Sequence, residues 1–520
     1  MTEQVRLLEL PPAPPEPPGP PPAPPAGEPK LRPINREQRT MAVVDVEELI
    51  GPDHKARAIW DLVRRLDLSR YLGQIRSREG DAGRPAWDPR LLVSVWVYAL
   101  SEGISKAREI ERVMEYEPGF RWLSGLQKIN YHTLSDFAAQ GGEAVQELFV
   151  QLLGLLEAEN LINLERVMHD GTKVRAAASG DSFRREGTVQ RHLERARQLV
   201  REMGQPSQPE GEALSRREAA RRRAVREREE KVEQALEQLQ QLQEAKNQEE
   251  EKREVRVSLT DPEARIMKHG DGAFGPSYNV QITTEAEHRV VLAVQVTQAS
   301  SDAEQLQPAV EQVQNNLGER PRQMVVDGAY GSAENIVQME EQKIDLISSL
   351  GDEEGRSRAA LKRQGIDPQF GRQAFLAEPG GQSLRCPAGH QLLHIGNSKT
   401  HGHVYAQYRA SGQDCAACPN QPRCCPNNPE QGRLVSLPIE RPQVTAFRQK
   451  MATEEAQRVY RQRPGVAETP HAWIKDKFRI RQFRLRGLAK VRIEALWACL
   501  AYNIMQWVRQ VWRQAQPAAA

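Results

Sequence analysis

The order of apolar and polar positions predicts a helical first part of the chain. Apolar residues recur there at the spacing of one helix face, as Ile59, Leu62 and Leu66 do in the first predicted helix. The predicted helices are Ala56–Leu68, Pro89–Glu102, Lys106–Met114, one that opens at Thr133, and Val145–Glu157. Residues 41–160 are therefore expected to form an all-α N-terminal domain, either as a scaffold or as a reader of DNA.

After residue 160 the pattern changes to strand-like runs that alternate with amphipathic helices. The predicted strands are a run that ends at Asp170, then Ser277–Thr284, Arg289–Gln298, Gln323–Val326 and Asp345–Ser349. The predicted helices between them are Asp302–Leu317 and Ala333–Gln342. This order predicts an α/β fold with a mixed sheet flanked by helices, and with one long insertion after the first strand.

The long insertion, residues 184–256, is dense in Arg, Glu, Gln and Leu. Val225, Val232 and Leu239 are spaced seven apart, as in a coiled-coil seam, although Arg228 occupies one of the seam positions. We interpret the insertion as two antiparallel helices that form an arm, and a coiled-coil dimer is the alternative. Because acids and bases are interleaved, solvated faces are favoured over a DNA-binding stripe.

Composition sets limits on the class of protein. A length of 520 residues predicts two to four folded units, and a net charge of +2 requires any DNA contact to come from local basic patches. Residues 11–29 contain 12 prolines and predict a disordered tail, assigned to residues 1–40. Neither a membrane span nor a signal peptide is expected, which favours a cytoplasmic protein.

Five of the six cysteines lie between Cys386 and Cys425 in a polar stretch, residues 355–440. The spacing of Cys415 and Cys418 suits one tetrahedral ion, and Cys386 with Cys424 or Cys425 would complete four sulfur ligands. The favoured interpretation is a structural zinc site formed by Cys386, Cys415, Cys418 and Cys424. Reduced cysteines without a metal in a loop are the alternative.

Three acids are candidates for chemistry. Asp327 and Asp170 each follow an apolar run and precede a glycine, so both are expected at strand ends, whereas Glu468 lies in a helical pattern. Carboxylates are the ligands that Mg²⁺ prefers, and two such ions can cut a phosphodiester. The alternative for each Asp-Gly pair is an aspartate that only forms a turn and binds no metal.

Groups that bind phosphate lie near Glu468 in the sequence. Tyr460, Arg463 and Lys475 are within sixteen positions of one another, and Glu468 and Lys475 would share one helix face. The basic segment Arg479–Arg492 follows. Its candidate DNA-binding residues are Arg484, Arg486 and Lys490. A solvated basic loop is the alternative for this segment.

At these residues the chain resembles the DDE-type insertion-sequence transposases of bacteria, which have a ribonuclease H-like catalytic core. The resemblance extends from about residue 43 to about residue 510. The motifs that carry it are VDVEELIGPDHKAR, GRPAWDPRLL, HTLSDF, HDGTK, GPSYNVQ, VVDGAYGS, CPAGH, CAACP, AETPHAWIK, RLRGLAKVRIE and LAYNIMQW.

The resemblance implies that Asp170, Asp327 and Glu468 are the catalytic acids and bind two Mg²⁺ or Mn²⁺ ions. It places the family's Tyr–Arg–Glu–Lys signature on Tyr460, Arg463, Glu468 and Lys475. The gap before the glutamate is one residue longer than in the commonest form, which makes Arg461 a substitute candidate for the arginine.

The implied activity is metal-dependent DNA cleavage at the terminal inverted repeats of the element, followed by strand transfer into target DNA. A homodimer in the bacterial cytoplasm, associated with the nucleoid, is expected. The alternatives are a metal-dependent nuclease without strand transfer and a DNA-binding protein derived from a transposase.

The resemblance also assigns the parts of the chain. After the tail and the N-terminal domain, the catalytic domain is expected in three pieces separated by two insertions. The pieces are residues 161–183, 257–354 and 441–520, and the insertions are the helical arm (184–256) and the cysteine-rich segment (355–440).

Overall fold

In the described residues up to 160, seven α-helices pack around a shared apolar core. They are α1 Lys55–Val63, α2 Ser69–Gln74, α3 Pro89–Ser101, α4 Ala107–Val113, α5 Pro118–Leu123, α6 Tyr131–Gln140 and α7 Gly142–Ala158. Helix α3 begins with Pro89, and the Asp88 side chain accepts a hydrogen bond from the Arg90 N–H. The sequence did not predict α2 and α5, because six residues are too few to show a helical period.

The computed structural model describes residues 37, 39, 41, 43–75, 77, 85–204, 216–349, 353–400, 403–439 and 441–515. The predicted proline-rich tail lies outside the described residues apart from isolated positions. The chain divides into two units, Met1–Asp45 and Val46–Ala520, and every element named below belongs to the second.

Thirteen strands occur in the described part of the chain, and six of them form a central mixed sheet. The strands are β1 Arg166–Arg175, β2 Phe183–Arg184, β3 Val257–Ser258, β4 Arg265–Lys268, β5 Phe274–Glu285, β6 Val291–Thr297, β7 Gln323–Val326, β8 Asp345–Ser348, β9 Leu376–Ala377, β10 Ser383–Arg385, β11 Gln391–Thr400, β12 His403–Ala410 and β13 Leu434–Pro438. The central sheet has the order β4-β5-β1-β7-β8, and β6 also pairs with β5. The predicted mixed sheet and the predicted β5–β6 hairpin are confirmed.

Strand β1 lies at the centre of this sheet and has neighbours of unequal length. It pairs antiparallel with β5 along its whole length, but its parallel pairing with β7 covers only residues 166–168. The prediction that Asp170 ends a strand is therefore wrong, because β1 continues to Arg175. The prediction for Asp327 is confirmed, because β7 stops at Val326.

The remaining helices are α8 Glu186–Gly204, α9 Arg216–Glu244, α10 Glu249–Glu254, α11 Leu306–Leu317, α12 Ala333–Glu341, α13 Glu353–Arg363, α14 Gly412–Ala416, α15 Gln421–Cys424, α16 Pro442–Met451, α17 Glu454–Arg461, α18 Arg463–Ala472, α19 Leu488–Trp507 and α20 Arg513–Ala515. Helix α11 begins at Leu306, four residues later than predicted, so Asp302 lies before it. In the described residues, no helix has the length and apolarity that crossing a bilayer requires.

Helices α8 and α9 form an antiparallel pair. Gln243 donates a hydrogen bond to Glu186 at 3.0 Å, and Arg197 pairs with Glu233 at 2.8 Å. The two helices therefore run in opposite directions. Their buried contact residues are Val189, Leu193, Val232, Ala235 and Leu239. Two of the three predicted heptad residues of α9, Val232 and Leu239, therefore pack within the chain.

The polar stretch that carries the cysteines contains a second sheet, which the sequence did not predict. Its strands follow the order β13-β12-β11-β10-β9, and all neighbours are antiparallel. Phe375, Leu384, Leu392, Tyr408 and Val435 form its small core. Strand β11 has no apolar side chain from Gly396 to Thr400, and this composition lowered the apparent hydrophobicity of the segment.

Helix α19 is buried along most of its length and covers the edge of the central sheet. Asn503, fully buried, accepts a hydrogen bond from the Val291 N–H at 2.8 Å and donates one to the Val291 carbonyl at 2.7 Å. Asn316 of α11 donates to the Leu292 carbonyl at 2.8 Å. The polar backbone groups at the start of β6 are thus satisfied by side chains.

We expect Asn503→Leu to lower the free energy of unfolding by about 2–4 kcal/mol, because it leaves two buried backbone groups of Val291 without a partner. Urea denaturation of the full chain measures this loss. Arg492→Leu on the exposed side of the same helix is the control and should change stability little. Equal stability of the two variants would contradict the role assigned to Asn503.

Candidate active site

Asp170 and Asp327 lie side by side because β1 and β7 are parallel neighbours. Met168 pairs with Val325 in the register of the two strands, and each aspartate follows two residues later. The strand β7 ends before Asp327, so beyond that point β1 loses its neighbour on this side. Asp170 therefore lies next to the gap that the shorter strand leaves.

The turn after β7 fixes Asp327. Its Oδ1 accepts a hydrogen bond from the Ala329 N–H at 2.8 Å, and its carbonyl accepts one from the Tyr330 N–H at 3.2 Å. A Cβ on Gly331 would stand 2.9 Å from the Ser349 carbonyl, so only glycine allows the turn to approach β8 this closely.

Gly171 serves close packing and not a turn. A Cβ at this position would collide with the Gln281 amide and stand 2.7 Å from Asp302 Oδ1. Its backbone continues β1, paired with Gln281 of β5. The Asp-Gly pair at residues 170–171 thus has a different cause from the one at 327–328, although the two look alike in the sequence.

Asp170 is a largely buried carboxylate, with 17% of its side chain exposed. Its pKa is raised to about 6, mainly by burial and in addition by the Asp327 and Glu468 carboxylates, against the lowering effect of Arg463. Asp170 is therefore near enough to each of the other two predicted acids to be repelled by it.

Glu468 approaches Asp170 from α18, and Arg463 at the start of that helix lies between Asp170 and Glu468. The Arg463 guanidinium is 3.7 Å from Asp170 Oδ1 and 3.8 Å from Glu468 Oε1. Its side chain is 13% exposed, whereas that of Glu468 is 59% exposed. Arg463 is thus the cation that partly balances the acids in this structure.

His471 belongs to the site, and the sequence did not single it out. It is buried one helical turn beyond Glu468, and its Nε2 lies 3.3 Å from the Asp170 carbonyl and 4.0 Å from Asp170 Oδ2. Burial, with Lys475 adding to it, lowers the pKa of His471 to about 3, so the ring is neutral. The only signal in the sequence was its position three residues after the acid.

Lys475 approaches β1 from the segment after α18. The helix continues there as a π-helical turn, Trp473–Lys477, so Lys475 does not follow the α-helical register predicted from Glu468. Its ammonium group donates a hydrogen bond to the Thr172 hydroxyl. Burial lowers its pKa, and the nearby Arg481 lowers it further.

A buried polar network connects both aspartates. Gln281 Oε1 accepts a hydrogen bond from the Tyr330 hydroxyl at 2.6 Å and lies 2.9 Å from His169 Nε2. Because that oxygen can only accept, His169 carries its proton on Nε2. Gln281 also donates to Asp302 at 2.7 Å, and Asp302 pairs with Lys173 at 2.8 Å. The Gln281 side-chain amide thus contacts both His169, which precedes Asp170, and Tyr330, which lies in the turn after Asp327.

The donor set at this site suits hard divalent cations. Three carboxylates offer oxygen ligands, and a cation between them would offset the repulsion that raises the pKa of Asp170. In the described residues, the one trio of His, Cys, Asp or Glu residues whose ligand atoms lie within 4.8 Å of one another is Glu285, Glu287 and His288. At least one pair of the three acids is therefore more than 4.8 Å apart.

The trio at residues 285–288 has a structural explanation. The Glu285 carboxylate accepts hydrogen bonds from the N–H groups of Glu287, at 2.9 Å, and of His288. These contacts close the β5–β6 hairpin, and they account for a buried acid at that position.

The other predicted DNA-binding residues are placed at different depths. Tyr460 donates a hydrogen bond to the Ser349 hydroxyl at 3.0 Å, at the end of β8. Arg484 is partly buried and donates to the Ser105 hydroxyl, and Arg486 donates to the Ala177 carbonyl at 3.0 Å. Lys490 is exposed. Both arginines thus use their guanidinium groups in contacts within the protein.

The cysteines of residues 386–425 surround one cavity in the second sheet, together with His390. Burial raises the pKa of Cys424 to about 11, and the nearby Cys415, Cys425 and Cys386 act in the same direction. The Cys425 thiol donates to the Asn427 carbonyl at 3.7 Å. Sulfurs from two separate parts of the sequence therefore line the same cavity, although among the described residues no three of them lie within 4.8 Å of one another.

Comparison with known families gives two matches. A family model described as "Transposase DDE domain" matches residues 385–508, and one described as "Transposase domain (DUF772)" matches residues 44–140. The first match contains Glu468 and the cysteines, whereas Asp170 and Asp327 lie outside it. Neither the search of curated proteins nor the search of solved structures found a significant match.

We expect Asp170→Asn to stabilise the metal-free protein near pH 7.5 by about 2–3 kcal/mol. A pKa raised from 3.8 to about 6 means that folding favours the protonated acid, so the ionised carboxylate costs stability above about pH 6. The gain should disappear as the pH falls through about 6 towards 4.

Urea unfolding with a chelator present, at several pH values, measures this difference. Glu319→Gln, an exposed acid on the loop after α11, is the control and should show no such pH dependence. A pH-independent effect of Asp170→Asn would contradict the electrostatic origin.

Proposed function

We propose, from the premise that this chain belongs to the DDE-type insertion-sequence transposases, that it cuts DNA at the ends of its element and joins those ends to target DNA. Asp170, Asp327 and Glu468 would be its catalytic acids and would hold two Mg²⁺ or Mn²⁺ ions. The observation that carries the proposal is the approach of these three acids from β1, β7 and α18, with Arg463 between two of them.

The residues of the site have separate roles in this proposal. When bound, the ions activate the attacking oxygen and stabilise the leaving oxygen of the phosphodiester. Asp170 and Asp327 are fixed by β1 and by the turn after β7, so their carboxylates are positioned before DNA arrives. Glu468 is more exposed and completes the set of oxygen ligands from the helix.

The cations beside the acids would orient the DNA. Arg463 and Lys475 present positive charge next to Asp170, where the cut phosphate would lie. His471, neutral and in contact with the Asp170 carbonyl, would hold α18 against β1 without adding charge. Tyr460 and Lys490 would contact phosphates further from the cut.

The wider architecture is proposed on the same basis. The mixed sheet with β1 at its centre supports a ribonuclease H-like catalytic core, and the N-terminal helices would read the ends of the element. A homodimer would process two ends together. The proposed location is the bacterial cytoplasm, at the nucleoid.

We expect Asp170→Asn and Asp327→Asn each to reduce Mg²⁺-dependent cleavage of element-end DNA well beyond the 10–100-fold that the loss of an outer-shell partner costs. DNA binding should persist, because asparagine keeps the size of the side chain and, at position 327, can still accept the Ala329 hydrogen bond. Gel assays of cleavage and of strand transfer from pre-cut ends measure both steps.

The matched control is Asp476→Asn, an exposed acid close to the site in sequence that pairs with Arg481. It should cleave normally. Near-normal cleavage by Asp170→Asn would defeat the assignment. Cleavage without strand transfer by the unaltered protein would indicate a nuclease, and DNA binding without metal-dependent cleavage would indicate a non-catalytic derivative.

We also propose that Cys386, Cys415, Cys418 and Cys424 hold a structural zinc ion. Cys386 follows β10, and the other three come from α14, α15 and the turn between them, so the ion would join the two ends of the small sheet. Zinc would offset the mutual repulsion of the thiolates. Cys425 is less suited, because its thiol already donates to Asn427.

We expect one equivalent of zinc per chain in the purified protein, and its loss from the double variant Cys415→Ser/Cys418→Ser, with a lower melting temperature. Elemental analysis and thermal denaturation measure the two effects. Cys499→Ala is the control, since that cysteine is buried in α19, far along the chain from the cluster. Zinc retained by the double variant would contradict the ligand set.

A further inference from the structure

The two halves of α9 carry opposite charge. Residues 216–228 contain seven arginines and two glutamates, whereas residues 229–244 contain five glutamates and one lysine. The net charge of the whole chain is only +2. Acids and bases are interleaved in α9 as expected, but not evenly, because the basic residues collect in its first half.

The basic half interrupts the seam that holds the arm together. Val232, Ala235 and Leu239 are buried against α8. Counting back by sevens from Ala235 gives Arg228 and then Arg221, where a hairpin built for stability would have apolar residues. Arg228 and Arg221 are both exposed, so these seam positions contribute no apolar packing. The presence of arginine at positions 221 and 228 is therefore not explained by the packing of the two helices.

The arginines of this half are largely free of acidic partners. Among the described residues of the arm, Arg222 pairs with Glu218 of its own helix, and Arg197 of α8 pairs with Glu233. Arg217, Arg221 and Arg228 are exposed and make no ion pair within the described part of the chain. Their charge is therefore directed to solvent.

A cleft between α8 and α9 adds to this positive surface. Its volume is about 250 Å³, and His192, Arg228 and Lys231 line it together with Glu227. Burial lowers the pKa of His192, and four arginines lower it further: Arg228, Arg184, Arg191 and Arg195. Cations thus surround the cleft from both helices.

An acidic protein surface would be a poorer partner than nucleic acid for this face. Protein interfaces have an apolar centre, and no large apolar side chain is exposed on the described residues of α8 and α9. Arg217, Arg221 and Arg228 instead follow one helix face at steps of about 6 and 10 Å, from the rise of 1.5 Å per residue. A row of separate cations suits a row of phosphates.

We propose that the arm binds the sugar–phosphate backbone of DNA through the basic half of α9 and the adjoining cleft. This rests on the proposed function, which makes DNA the partner, and adds a contact outside the catalytic site. The proposed contact is to phosphates, which carry no sequence information, so it would be independent of base sequence.

The test compares two variants of the full chain with equal loss of charge. Arg217→Gln/Arg221→Gln/Arg228→Gln removes the basic row, and Lys246→Gln/Arg253→Gln/Arg256→Gln removes three exposed cations at the acidic end of the arm. Fluorescence anisotropy with a long DNA duplex, between about 50 and 200 mM salt and without divalent metal, gives the affinity and its salt dependence.

The first variant should bind at least about tenfold more weakly. Its plot of log affinity against log salt should be shallower by about 0.9 for each phosphate that the arm no longer neutralises. The second variant should match the unaltered protein. Unchanged binding by the first variant, or equal weakening in both, would overturn the proposal. So would a change of oligomeric state in the first variant at unchanged DNA affinity.

Because no divalent metal is present, this result is separate from the catalytic assays. Failure of the arm variant to lose affinity would leave metal-dependent cleavage by the unaltered protein intact. Failure of the proposed function would appear as no cleavage by the unaltered protein, whatever the arm binds.

Discussion

The site depends on the negative charge of the Asp170 carboxylate, which is largely buried beside the end of the shorter strand β7. Asp170 lies where β1 continues and β7 has ended, so its carboxylate has little water and two acidic neighbours. Folding must overcome that repulsion, and Arg463 offsets only part of it. If the three acids bind divalent cations as proposed, the same repulsion would contribute to that affinity, so the cost in stability and the capacity for chemistry would have one origin.

A buried hydrogen-bond network beneath the site holds the Asp170 carboxylate in place. Gln281 of β5 contacts both His169 and Tyr330, which are fixed to the two aspartates by chain connectivity. A neighbouring amide–acid–lysine group, Gln281, Asp302 and Lys173, is also fully engaged. A satisfied buried network of this kind has one low-energy arrangement. The aspartates therefore cannot relax apart as freely as they could on loops.

Local patterns predicted what is local. The strand Gln323–Val326 and the acid after it were readable because four apolar residues and a turn lie together in the sequence. The continuation of β1 beyond Asp170 was not readable from the sequence. Gly171 looks like a turn residue there, but it is required by the side chains of Gln281 and Asp302, more than a hundred positions away. His471 was missed for the same reason, because its contact Asp170 lies 301 positions earlier in the chain. The second sheet was missed because the second half of β11 is glycine and polar residues, so the segment showed no clear strand pattern.

The two insertions have a consequence for how the protein is made. The arm separates β1 from the rest of the central sheet, and the cysteine-bearing sheet separates β8 from the helix that carries Glu468. During synthesis the chain emerges from its N-terminus, so Asp170 and Asp327 are present long before their third partner. Under the proposed function, the three acids would come together only after α18 has emerged and folded back across both insertions. We therefore expect a chain truncated before α18 to lack DNA cleavage activity, even where it still binds DNA.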